Sequence, residues 1–70
     1  MKQKLDKTGF GKAVKTKRVI DLKIGVREAA ILIGLSSATV SRIENGKEIS
    51  LENFILSCNW IGVPVSIFIK

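Results

Sequence analysis

Val26–Gly46 reads VREAAILIGLSSATVSRIENG. Two short helical segments are expected here, about a tight turn at Gly34, Leu35 and Ser36. The first runs over Val26–Ile33, where Ala29 and Ala30 are small enough for a second helix to cross closely. Gly34 follows the last apolar position, where helices favour a residue free to take positive φ. Leu35 points back as a core plug, and Ser36 is an N-cap type. The second segment covers Ser37–Glu44, with Val40 and Ile43 three apart and facing inward. Ser37, Ala38, Ser41 and Arg42 then face outward. Asn45-Gly46 stops the helix.

This is the layout of a helix-turn-helix, the device that lays one helix in the major groove of DNA. Outward from it, residues 1–8 lack apolar periodicity and read as a flexible basic arm. Thr8 is the expected cap of a first helix over Gly9–Ile20, with Phe10, Ala13, Val14 and the stem of Arg18 on one face. Leu22–Gly25 reads as a connection with Ile24 plugging the core. Downstream, Ser50 caps a helix over Leu51–Ile61, whose apolar face holds Leu51, Phe54, Ile55, Cys58 and Ile61. Gly62 ends it. Val63–Ile69 admits two readings. A short helix after Pro64 is favoured, and a strand paired with a second copy is the alternative.

The chain has 70 residues, 46% hydrophobic and 26% charged. That is one globular domain near the smallest size that holds a core without staples. No apolar run approaches the roughly 18 residues of a membrane span, and no apolar signal core opens the chain. A single cysteine, Cys58, fits a reducing compartment and a small apolar role in packing, so a cytoplasmic setting is expected. The absence of histidine removes the usual general base and the commonest metal ligand. With no paired carboxylates and no nucleophile beside a base, catalysis is not expected. A metal site or other cofactor is not expected either. The net charge of +6 is unevenly placed: residues 1–18 carry seven basic groups against Asp6 alone, whereas residues 19–70 balance five against five. Beside the motif, this points to a polyanion backbone, the alternative being a solvated tail.

The run Gly34–Lys47, GLSSATVSRIENGK, closely resembles the Cro/C1-type (XRE) helix-turn-helix family of phage repressors and bacterial regulators. Val14–Arg18 resembles first-helix sequences of lambdoid phage repressors, and Trp60–Val63 the end of the family's fourth helix. The resemblance covers Phe10–Ile69. It implies an all-α, five-helix lambda-repressor-like domain over residues 9–70, binding operator DNA as a homodimer. Carried over by position, the base-reading places are Ser37, Ala38, Ser41 and Arg42, with Val26 opening the second helix. Arg42 leads, because its planar fork can donate twice to guanine; the alternative is a solvated charge. Thr39 and Asn45 match phosphate-holding places; Lys47, just beyond them, and Lys15 and Lys17 are assigned to the DNA backbone as well. Asn45 is otherwise only a helix terminator. The resemblance further implies an ion pair between Arg18 and Glu44.

Three departures stand out. Valine at position 26 replaces a glutamine common in relatives and cannot hydrogen-bond. Gly25 replaces the usual hydroxyl cap, so the second helix should start less firmly. Ile31 and Leu32 stand where polar residues are usual, one expected to cover a connection that is a residue longer than usual and the other to join a pairing patch. The function expected is a sequence-specific transcriptional regulator, a repressor on a twofold-symmetric operator. The alternative is a DNA-binding antitoxin that also holds a toxin protein, favoured by the extra apolar residues Ile31, Leu32, Ile67 and Ile69.

Overall fold

The computed structural model describes residues 4–69 and is all-α. Helix α1 spans Lys7–Thr16, and a π-helical turn continues it over Lys17–Leu22. Helix α2 spans Val26–Ile33, α3 Ser37–Glu44 and α4 Leu51–Ile61. A single 3-10 turn, Val65–Phe68, stands where a fifth helix was expected. The strand alternative is realised at one residue only: Ile69 forms an isolated antiparallel bridge with Leu5 of its own chain, so no second copy is needed to satisfy it.

The core is built around three phenylalanines. Phe10 on α1 meets Phe54 on α4 edge to face at 4.9 Å and Phe68 on the 3-10 turn at 5.3 Å. Such arrangements set the positive ring edge against a negative face and add to plain burial. Val14, Ala30, Ile33, Val40, Ile43 and Cys58 complete the cluster. Burial pushes the Cys58 thiol above its ordinary pKa, which keeps it protonated and inert as a packing group. Leu35 packs against this cluster as expected, but Ile24 does not join it. Leu51 and Ile55, expected on the buried face of α4, are exposed; Ser57 is buried in their stead, its hydroxyl donating to the Asn53 carbonyl at 2.8 Å. That bond lets a serine sit in the interior without an unmet donor.

The beginning of the chain differs from expectation. Asp6, and not Thr8, caps α1: its carboxylate accepts from the Gly9 N–H at 3.1 Å. The cap is held by the chain end, since the Asp6 N–H donates to the Phe68 carbonyl at 2.7 Å beside the Leu5–Ile69 bridge. Leu5–Thr8, read as part of an arm over residues 1–8, belong to the helical body, and residues 1–3 lie outside the described residues.

The long connection before α2 has a structural outlet. A π-turn is wider than an α-turn, and the segment Lys17–Leu22 closes with the Lys23 N–H on the Arg18 carbonyl. Lys23 then turns the chain with φ 55°, and it is the one non-glycine in the left-handed region among the described residues. A Cβ there costs energy that glycine avoids. Lys23→Gly is expected to stabilise the domain by about 0.5–1 kcal/mol in urea denaturation; a loss would show that the lysine side chain, and not the backbone, holds this turn. At the start of α2, Gly25 has no side chain to cap with, yet the helix is not left open: the Glu28 carboxylate accepts from the Gly25 N–H at 3.2 Å. This is half of a capping box, supplied from inside the helix.

Candidate nucleic-acid interface

Helix α3 has two sides set by its sequence. Val40 and Ile43 are buried, while Ser37, Ala38, Ser41 and Arg42 are exposed. The first turn is capped by Ser36, whose hydroxyl accepts from the Thr39 N–H at 3.1 Å. The Ser36 and Thr39 hydroxyls also bond each other at 2.8 Å, so Thr39 is half-buried and already engaged. The far end closes on Gly46 at φ 72°, with the Gly46 N–H on the Ile43 carbonyl and the Lys47 N–H on the Arg42 carbonyl. That crossed pair of bonds satisfies carbonyls the helix would otherwise leave bare. Asn45 folds back, its amide donating to the Ser41 carbonyl at 2.8 Å. This is the terminating role, and it leaves the side chain exposed. Lys47 is exposed just beyond.

The last residue of α3, Glu44, is held by an ion pair. Arg18 donates through Nε to Glu44 Oε2 at 2.7 Å and through Nη2 to Oε1 at 2.8 Å. Its Nη1 donates to the Ile24 carbonyl at 3.1 Å. The side chains are only 14% and 9% exposed. The hydrogen bond to Glu44 raises the Arg18 pKa above its already high ordinary value. One guanidinium thus ties together the end of α1, the end of α3 and the connection into α2.

The other sequence-derived residues divide. Helical register puts Lys15 on the same side of α1 as Gly11 and Arg18, and it is exposed. Lys17 follows Phe10 and Val14 at three-to-four spacing instead, and it is half-buried at the edge of the core side. Val26, which opens α2, is half-buried and packs against the core cluster. Ile31 and Leu32 cover nothing, being 78% and 61% exposed. Ile69 is half-buried beside Leu5 and leaves the set of free apolar residues.

Two features of this region have no counterpart in the sequence reading. A cleft of about 370 Å³ runs beside α3, lined by Thr39, Arg42, Glu48, Ile49, Ser50 and Asn53. An ion pair between Lys7 and Glu48 crosses from α1 to the loop before α4. The hydrogen bond from Lys7 holds the Glu48 carboxyl below the usual range. The partners lie 41 residues apart, so no local pattern could have announced the contact.

The chain matches no family model, no curated protein and no solved structure. Among the described residues, no cluster of three or more histidine, cysteine or acidic side chains could hold a metal ion, and no helix is long and apolar enough to cross a membrane.

Proposed function

We propose that this chain is a sequence-specific DNA-binding regulator of the Cro/C1 type, with α3 lying in the major groove. The observation that carries the reading is the exposed row Ser37, Ala38, Ser41 and Arg42 on a helix seated in the core through Val40 and Ile43 and tied down at its end by the Arg18–Glu44 pair. Arg42 makes no hydrogen bond or ion pair through its side chain among the described residues, so its fork is free to donate twice to guanine O6 and N7. Ala38 offers an apolar contact to a thymine methyl, and Ser37 and Ser41 adapt as donors or acceptors. Lys15, Lys47 and the exposed lysines of α1 supply phosphate contacts that set register without reading sequence. One domain of this size covers too little DNA for high specificity. Two copies on a twofold-symmetric site, with half-sites about one helical turn apart, supply the rest. Occluding a promoter in this way needs no cofactor.

The test is selection of bound duplexes from a random pool, repeated with Arg42→Ala. The expected result is loss of preference at one base position, about 1–3 kcal/mol of discrimination. Uniform weakening across all sequences would make Arg42 a phosphate contact instead. A chain that shows no salt-sensitive association with any duplex would overturn the reading as a whole.

The adjacent exposed Ile31 and Leu32 favour a second reading, a DNA-binding antitoxin that also holds a toxin protein. Purification with a second small protein, abolished by Leu32→Lys while DNA binding persists, would select it.

A further inference from the structure

The Lys7–Glu48 pair divides two clefts that share Glu48 and Ile49. On one side lies the cleft beside α3, with Arg42. On the other lies a cleft of about 470 Å³ with Lys4, Leu5 and Lys7. Across the two clefts Glu48 is the one anion among the lining residues, against Lys4, Lys7 and Arg42. Its side chain is 82% exposed and that of Lys7 40%, and an ion pair so open to water adds little to stability. Glu48 makes no ion pair with Arg42 although both line the same cleft. A carboxylate in such a place has its main effect on whatever anion enters either cleft.

Resting on the DNA-binding reading above, we propose that Glu48 is a built-in competitor of the DNA phosphate backbone for Lys7. A phosphate reaching Lys7 must displace the carboxylate and then lie beside it. Both events oppose binding. The acid thereby lowers the part of the affinity that depends on phosphate charge alone, and it leaves base reading by Arg42 untouched. A weaker hold on arbitrary DNA lets a small basic protein search for its site without being trapped along the way.

The experiment measures binding of the full chain to a duplex of random sequence across a salt series. For Glu48→Gln, affinity is expected to rise about three- to tenfold near 50 mM salt. The slope of log K against log salt should steepen by about 0.9, the signature of one more phosphate neutralised. In a Lys7→Gln background the same substitution should leave the slope unchanged and give a smaller gain in affinity. An unchanged slope overturns the proposal, and so does an equal gain in the Lys7→Gln background. A lowered melting temperature with weaker binding and the original slope also overturns it, by showing Glu48 to be a strut between α1 and the loop. Absence of salt-sensitive binding by the unaltered chain and by Glu48→Gln alike is a different failure, that of the DNA-binding reading itself.

Discussion

Gly11→Ala is expected to destabilise the domain by about 2 kcal/mol, against the direction that helix propensity alone dictates. Gly11 lies in the middle of α1, where alanine is the better helix former by about 1 kcal/mol. It is also the point at which α1 meets the end of α3. A Cβ at this position would lie closer than 3.0 Å to the Ile43 carbonyl oxygen, and 3.2 Å from that of Glu44. Both obstacles are backbone atoms and cannot rotate aside. The helices must therefore move apart, although both are seated in the core through Phe10, Val14, Val40 and Ile43. Forcing volume into such a contact costs up to about 3 kcal/mol, which outweighs the gain in propensity. For a domain of this size, whose total stability is about 3–10 kcal/mol, the melting temperature should fall by about 8–16 °C. Thermal unfolding followed by circular dichroism decides it. A melting temperature that stays level or rises would show that α1 and α3 do not pack at this distance.

The second large effect belongs to Arg18 and Glu44. Substituting Arg18→Met leaves the Glu44 carboxylate, 9% exposed, without its two donors, and Glu44→Gln leaves the guanidinium without its counter-charge. Each is expected to cost about 3 kcal/mol, the lower end for a broken buried pair, because the edge of the interface admits some water. The double substitution should cost at least about 2 kcal/mol less than the sum, since it strands no charge. Strict additivity in urea denaturation would mean that the two groups are not coupled. Arg18→Lys should behave nearly as badly as Arg18→Met: an ammonium cannot serve both carboxylate oxygens and the Ile24 carbonyl at once. Because the Arg18 pKa is raised, its contribution is complete below the ordinary arginine range and is lost only as pH climbs through the raised value. Arg18 therefore adds no pH dependence under usual conditions.

The spans of α2, α3 and α4 coincide with those read from the residues, because each is delimited by local chemistry. Ser36 and Ser50 cap through their own hydroxyls, and Gly34, Gly46 and Gly62 take the positive φ that ends a helix. The division of α3 into buried and exposed sides was legible for the same reason: Val40 and Ile43 are the only large apolar residues between Ser37 and Glu44. The start of α1 was not. Thr8 and Asp6 are both capping types two residues apart, and the choice is made by the Asp6 N–H on the Phe68 carbonyl, a contact with the other end of the chain. Val63–Ile69 was ambiguous for a related reason, its conformation being set by Phe68 entering the phenylalanine cluster and Ile69 meeting Leu5. In the candidate site, the half-burial of Val26 and Lys17 was not legible, because a residue's type does not say which neighbour its face meets.

Periodicity, capping residues and glycines were enough to establish the second to fourth helices and the four side chains α3 turns outward. These are short-range properties, settled within one or two turns of backbone. The close approach at Gly11, the Lys7–Glu48 bridge between two clefts and the union of both chain ends above Phe10 came from the folded arrangement. Each joins residues tens of positions apart, where chain closure and packing set the geometry and no local preference records it.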